Sequence, residues 1–140
     1  TVRKPTVINF FVERALAGEP LTVYEPGTQA RNFIHVVDVA RVYVRSAERL
    51  LEQLESGVTG TETYEIAGEE DMSVLAVAEV VRQTAADELG TAVDVKLVEN
   101  PRPAETLVDE FSVDISKAMS VIGWQPTKNI DESVRVSLRL

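Results

Sequence analysis

The stretch that decides the fold reads Pro20-Leu-Thr-Val-Tyr-Glu-Pro-Gly-Thr-Gln-Ala-Arg-Asn-Phe-Ile-His-Val-Val-Asp-Val-Ala40. Two short β-type runs, 21–24 and 32–36, flank a Pro-Gly turn. Asp38 then precedes a helical pattern and is predicted to be its N-cap. Strand, turn, strand and capped helix in such close succession indicate a chain that mixes helices with a sheet.

Helices and strands also alternate on both sides of this stretch. Pro5 suits the first turn of a helix that ends near Gly18. After Asp38, apolar residues recur at helical spacing and predict a helix with one apolar stripe: Val39, Val42, Tyr43, Ala47, Leu50, Leu51 and Leu54.

The carboxy-terminal half repeats the alternation. Strands are predicted at 63–67 and 93–98, and a helix is predicted from Ser73 to Gly90. Two short helices follow, one from Asp114 to Ile122 and one starting near Asn129. The sequence therefore predicts an α/β fold with short strands and about five helices.

Composition narrows the possible functions. The 140 residues are 44% hydrophobic and contain no Cys and one His, which excludes disulfides, thiolate nucleophiles and Cys-based zinc sites. The acid run Glu69-Glu70-Asp71 has no matching ligands nearby in sequence, so we expect no metal. No apolar run is long enough to span a bilayer, so we expect no membrane partner and, by default, a cytoplasmic location.

The formal net charge of -9 argues against a nucleic-acid partner, because phosphate backbones require a basic face. Two interpretations of the acidic surface stay open: adaptation to high salt, or an ordinary acidic protein. Either way, an Arg in a loop stands out against this background. Arg31 and Arg102 both lie beside turn residues, and each could ligate an anion or pair with a surface carboxylate.

The pattern Tyr24-x-x-Gly27-x-Gln29-x-Arg31-Asn32-Phe33-x-His35-Val36-x-Asp38-Val39 resembles the substrate half of NAD-dependent sugar-nucleotide epimerases and dehydratases. This family belongs to the extended short-chain dehydrogenases/reductases, which have a Rossmann-like fold. The resemblance implies that residues 1–140 are the carboxy-terminal, substrate-binding segment of such an enzyme. It implies NAD as the cofactor and a UDP- or dTDP-linked sugar as the substrate.

The resemblance also assigns roles to individual residues. Arg31 and Arg102 are expected to bind the diphosphate, and Glu105 is expected to bind a ribose hydroxyl. Position alone leaves two interpretations of Tyr24, a ring that lies along the base or one that packs in the core or at its rim. The backbone of the strand, from Leu21 through Val23 to Tyr24, could offer hydrogen bonds to the edge of the base. Asn32 stands where the family usually has Asp, and Ala104 where it has Gly.

The family's catalytic and cofactor motifs are missing from this chain. Tyr24, Tyr43 and Tyr64 are not followed four residues later by Lys, as the catalytic pair requires. No Gly-rich turn joins a strand to a helix, as a dinucleotide site requires. We therefore expect the Gly-rich cofactor half to lie upstream, no catalytic residue within this segment, and no activity from the segment alone.

Two alternatives stay open at this point. The chain could be a freestanding nucleotide-sugar binding or interaction module, or part of a family reductase with a non-nucleotide substrate. A homodimer formed through the missing half is also left open.

Overall fold

The computed structural model describes residues 6–102 and 112–140. Within them the chain forms five helices and four short strands, as predicted for the fold class. In chain order these are α1 (Val7–Leu16), β1 (Leu21–Tyr24), β2 (Ala30–Asn32), α2 (Val36–Glu55), β3 (Asp71–Ser73), α3 (Val74–Leu89), β4 (Val95–Val98), α4 (Ser116–Ile122) and α5 (Ile130–Arg139).

In the main core, α1 and α3 pack on β1, and α5 packs on α1 and α3. Leu21 and Val23 of β1 belong to the same buried cluster as Val77 and Val81 of α3 and Val134 of α5. Each of these side chains is fully buried, and burial of a side chain of this size stabilises a fold by about 1.5–3 kcal/mol.

The four strands form two separate pairs. β1 runs parallel to β4, with Leu21 opposite Val95 and Tyr24 opposite Val98. β2 runs antiparallel to β3, with Arg31 opposite Met72. Because β1 and β4 are parallel, the chain leaves both strands at the same edge of the sheet.

A second, smaller core surrounds Trp124. Gly123 ends α4 in the left-handed conformation, which glycine adopts without a steric penalty. The chain then turns back, so that Trp124 packs on Ala118 and Ile122 of α4 and is fully buried.

Two predicted strands are corrected by the structure. The run 32–36 is not a strand: β2 covers Ala30–Asn32, and Val36 already opens α2. Residues 63–67 have no regular secondary structure and pair with no strand in the described part of the chain, so this run is not a strand. β4 and α4 begin two residues later than predicted.

The beginning of α2 also differs from the prediction. His35, not Asp38, is the N-cap residue, and its Nδ1 accepts a hydrogen bond from the backbone N–H of Val37 at 3.1 Å. Asp38 lies inside the first turn and is fully buried. The prediction failed because both residues can cap a helix, and the tertiary partners of Asp38 decide between them.

The apolar stripe of α2 is present and mostly exposed, although Val42 packs against the second core. Tyr43, Leu50, Leu51 and Leu54 are all exposed by more than half of their surface, and Val44 continues the same stripe. In the described residues the opposite face of α2 faces α4 and the segment before residue 65. The helix thus shows its hydrophobic side to the outside.

Candidate functional site

Arg31 lies on β2 with an exposed side chain. In residues 6–102 and 112–140 no carboxylate forms an ion pair with its guanidinium. Most of the other described arginines do form such pairs; these are Arg14, Arg41, Arg45, Arg49, Arg82, Arg135 and Arg139. In so acidic a chain, an arginine left without a carboxylate among the described residues is a candidate ligand for an anion from outside.

Tyr24 ends β1 with 49% of its surface exposed, so its ring is available to a ligand. Leu21 and Val23 behave differently, because their side chains belong to the main core. The backbone of β1 bonds to β4 along one edge, where Leu21 N donates to Asp94 O at 2.7 Å and Glu25 N donates to Val98 O at 2.9 Å. Contact of Leu21 and Val23 with a base thus stays a prediction that concerns their backbone alone.

Arg102 follows β4 in the segment that leaves the sheet beside the 25–28 turn. The side chain of Asn100 accepts a hydrogen bond from the backbone N–H of Arg102 at 2.9 Å, which fixes the local turn. Glu105 lies outside the described residues. The parallel pairing brings the ends of β1 and β4 together, whereas Arg31 lies farther along, on β2.

Asn32, next to Arg31, makes a set of contacts that the sequence did not predict. Its Oδ1 accepts a hydrogen bond from Gly68 N at 2.7 Å. Its Nδ2 donates to Gly68 O at 3.0 Å and to Asp71 Oδ1 at 2.8 Å. Because Gly68 lies 36 positions away in sequence, no local pattern could have identified this pairing.

Asp38 is a second polar residue whose role the sequence did not reveal. Its carboxylate accepts hydrogen bonds from Thr127 N at 2.9 Å, Thr127 Oγ1 at 2.7 Å, Lys128 N at 3.0 Å and Arg41 at 3.1 Å. Its backbone carbonyl accepts the indole N–H of Trp124 at 2.8 Å. Asp38 therefore ties α2 to the segment between α4 and α5.

These contacts also set the charge state of Asp38. Burial raises the pKa of the carboxyl group, but the hydrogen bonds from Thr127, Lys128 and Arg41 outweigh burial, and the pKa is lowered from the ordinary value of 3.8. The carboxylate is ionised at neutral pH and is fully used by its structural partners. The geometry gives it no acid–base task.

A cavity of about 230 Å³ lies between α2 and the segment 60–64. Glu62 lies at its wall, and its side chain accepts hydrogen bonds from Arg49, Gln53 and the Tyr64 hydroxyl. The bonds from Arg49 and then Tyr64 lower the pKa of Glu62 to about 2. These contacts hold the 60–64 segment against α2, and Glu62 is ionised at neutral pH.

Comparison with known proteins places this geometry in context. A family model described as "NAD dependent epimerase/dehydratase family" matches residues 3–67. UDP-glucuronic acid decarboxylase 3 of Arabidopsis thaliana is 33% identical over 132 residues, which are 91% of this chain and 33% of that protein. UDP-sulfoquinovose synthase of Sulfolobus acidocaldarius is 31% identical over 136 residues, which are 96% of this chain and 32% of that protein.

Among solved structures, UDP-glucuronic acid 4-epimerase from Bacillus cereus, in complex with UDP-glucuronic acid and NAD, has a TM-score of 0.71 at 20% identity. The match covers 98% of this chain and 40% of that one. The likeness confirms the predicted α/β fold class. The chain spans about a third of the length of the curated relatives it matches.

No helix among the described residues has the length and apolar character needed to cross a membrane.

Proposed function

Because the chain belongs to the NAD-dependent epimerase/dehydratase family, we propose that it is the substrate-binding part of a longer enzyme acting on nucleoside-diphosphate sugars. In this proposal, residues 1–140 bind the nucleoside diphosphate, and residues outside them carry out the oxidation and reduction of the sugar. A remote grip of this kind uses binding energy from the non-reacting part of the substrate to position the reacting carbon.

The observation that carries the proposal is that Arg31 forms no ion pair with a carboxylate of the described residues. A surface arginine in this acidic protein would be expected to pair with a carboxylate, as seven other described arginines do. Arg31 forms no such pair within the described ranges. Its planar fork of donors suits a phosphate group, which can accept two parallel hydrogen bonds from it.

The parallel pairing of β1 and β4 supports a second ligand for the same diphosphate. The turn that leads to Arg31 and the segment that contains Arg102 leave the sheet at the same edge. Clefts outside the carboxyl ends of parallel strands are the usual ligand sites of α/β proteins. We therefore propose that Arg102 joins Arg31 on the diphosphate, with Tyr24 against the base and Glu105 at the ribose.

NAD itself does not fit the described residues of this chain. β1 runs into Glu25-Pro-Gly-Thr28, and β3 passes directly into α3 at Ser73 without a glycine. Neither junction offers the Gly-rich turn and free helix N-terminus that bind a pyrophosphate in a dinucleotide site. In the proposal NAD is held by residues outside these 140, and no step of its chemistry involves this segment.

The exposed stripe of α2 supports the proposal of a longer enzyme. At 1.5 Å per residue, the 20 residues of α2 are about 30 Å long, and large apolar side chains line the exposed face from Val36 to Leu54. An exposed patch of this extent marks a surface that another element covers. We propose that the cofactor-binding part of the longer enzyme covers it.

The test is calorimetric titration of the full-length gene product with UDP-glucose and dTDP-glucose. Arg31→Ala should weaken binding about 10- to 150-fold, because a hydrogen bond to a charged group contributes about 1.5–3 kcal/mol. Arg82→Ala is the matched control: it removes the same charge from the solvent-facing side of α3, where Arg82 pairs with Glu79, and it should leave binding unchanged.

Equal affinities of the parent and the Arg31→Ala variant would remove Arg31 from the site. Failure of the parent to bind either nucleotide sugar would favour a reductase with a non-nucleotide substrate. A natural reading frame that begins near Thr1 would instead favour a freestanding binding module.

A further inference from the structure

Asn32 binds the peptide of Gly68 through both ends of its side-chain amide. Oδ1 accepts from Gly68 N at 2.7 Å, while Nδ2 donates to Gly68 O at 3.0 Å. This is the pairing that a backbone peptide would make in a β-ladder, and here a side chain makes it. It extends the contact between β2 and the 68–73 segment beyond the last backbone register pair, Asn32 with Asp71.

Gly68 fits this contact because it has no side chain. A Cβ at this position would lie 1.7 Å from the carbonyl oxygen of Phe33, well inside van der Waals contact. Gly68 is therefore held between the amide of Asn32 on one side and the backbone of Phe33 on the other. β2, which carries Arg31, is thus fixed to the 68–73 segment in two ways: by its pairing with β3 up to Asn32, and by the side chain of Asn32 at Gly68.

Asp71 completes the arrangement. Asn32 Nδ2 donates its second hydrogen to Asp71 Oδ1, with 2.8 Å between the nitrogen and the oxygen. An Asn supplies both a donor and an acceptor, whereas an ionised Asp supplies acceptors only. A carboxylate at position 32 would therefore face the Gly68 carbonyl and the Asp71 carboxylate without any hydrogen to share.

We propose that Asn32 is a positioning residue, matched to Asp71, that holds β2 in register and thereby orients the guanidinium of Arg31. The role given to Arg31 rests on the proposed function. The match between Asn32 and Asp71 rests only on the contacts between them. The proposal predicts that two carboxylates at these positions weaken binding and that an amide moved to position 71 restores part of it.

The experiment compares three variants of the full-length protein, with UDP-glucose as the probe. Asn32→Asp puts two carboxylates in contact and should weaken binding about tenfold at pH 8, the effect of one lost hydrogen bond of ordinary strength. The double variant Asn32→Asp/Asp71→Asn restores a donor between the two positions. Its affinity should recover part of the loss, because the Gly68 carbonyl still receives no hydrogen from position 32. Asp71→Asn alone keeps both hydrogen bonds between Asn32 and Gly68 and should therefore bind closest to the parent.

A pH series separates positioning from a general loss of structure. Two carboxylates that share a site raise the pKa of one of them, so Asn32→Asp should recover affinity as the pH falls from 8 towards 5. The exchanged variant should show no such recovery. Asn32, Glu69 and Asp71 line a second cavity, of about 340 Å³. Glu69→Gln therefore serves as the control and should leave the affinity and its pH profile unchanged.

The proposal is overturned if Asn32→Asp binds like the parent, if the exchanged variant does not recover, or if the loss is independent of pH. Far-UV circular dichroism shows whether each variant is folded. If the parent itself does not bind UDP-glucose, the proposed function fails. Urea unfolding of the same variants at pH 8 and pH 5 then tests the contact between Asn32 and Asp71 independently of substrate binding. We expect the free energies of unfolding to rank the variants in the order expected for their affinities.

Discussion

The carboxylate of Asp38 offers the most direct test of how the two cores are joined. It is fully buried and accepts four hydrogen bonds, from the backbone of Thr127 and Lys128, the hydroxyl of Thr127 and the guanidinium of Arg41. We consider Asp38→Asn, which keeps the size of the side chain and removes its charge. We expect α2 to be held less firmly against the segment that follows Trp124.

The magnitude follows from the contacts. The side-chain oxygen that remains in the Asp38→Asn variant can still accept the two backbone N–H groups, and the hydroxyl of Thr127 can turn to accept from the new amide. The ion pair of Arg41 with residue 38 is lost, although Arg41 still donates to the carbonyl of Gln125 at 3.1 Å. The other hydrogen bonds to residue 38 lose the negative charge of their acceptor. Because a hydrogen bond to a charged group contributes about 1.5–3 kcal/mol, we expect a total loss of about 2–4 kcal/mol in the free energy of unfolding.

The assay is urea unfolding followed by tryptophan fluorescence. Trp124 is the single tryptophan of the chain, and its indole N–H donates to the backbone carbonyl of residue 38. The substitution leaves that carbonyl in place, so the probe stays local and intact. Asp94→Asn, an exposed substitution of the same chemistry, is the control and should change the free energy by less than about 0.5 kcal/mol.

The pH dependence gives a second readout of the same residue. The pKa of Asp38 is lowered in the folded state, so its contribution is complete above the unfolded value of 3.8 and is lost as the pH falls below it. The difference between the parent and Asp38→Asn should therefore narrow below about pH 4. If the two variants, Asp38→Asn and Asp94→Asn, are equally stable at pH 7, Asp38 does not join the two cores in the way that its contacts indicate.

Three further predictions concern other parts of the fold. Glu88 accepts hydrogen bonds from Arg139 and Arg135, which lower its pKa to about 2; Glu88→Gln should therefore destabilise the protein above pH 4.5, with the difference shrinking as the pH falls towards 2, as acid titration followed by circular dichroism will show. Gly68→Ala should lower the free energy of unfolding in urea by about 3 kcal/mol or more, because the new Cβ would overlap a backbone carbonyl, whereas Gly90→Ala has open space around it and should lower it only by the left-handed strain of about 1–2 kcal/mol. Equal losses in the two variants would contradict the close approach at Gly68. Leu50→Glu should reduce self-association of the 140-residue chain in sedimentation experiments while destabilising the full-length protein, and an unchanged full-length protein would show that the α2 stripe is not covered there.

Local chemistry accounts for most of the elements that the sequence predicted well. Ser73 accepts a hydrogen bond from Ala76 N at 3.1 Å, and Asn129 accepts one from Glu132 N at 2.8 Å, so both helices begin where their capping residues indicated. β1 has the predicted bounds. These signals lie within three or four residues of each other, and they are therefore readable without knowledge of the tertiary fold.

Prediction was less complete for the candidate site. Arg31 was identified from its position beside a turn, but its lack of a carboxylate partner among the described residues is visible only in three dimensions. The sequence predicts Asp38 as the N-cap of α2, but the side chain of His35 can also accept a hydrogen bond from a helix N-terminus. Only the contacts of Asp38 with Thr127 and Lys128, about 90 positions away, decide between them.

The sequence by itself determined the α/β class, the order of the helices and the family, because hydrophobic periodicity, capping residues and the 20–40 motif are local properties of the chain. The tertiary structure alone decided the parallel pairing of β1 with β4, the clasp of Asn32 on Gly68, the burial of Asp38 and the exposure of the α2 stripe. The physical reason is that a hydrogen bond or a buried contact needs two partners. When those partners lie tens of residues apart, neither one's local sequence contains the other.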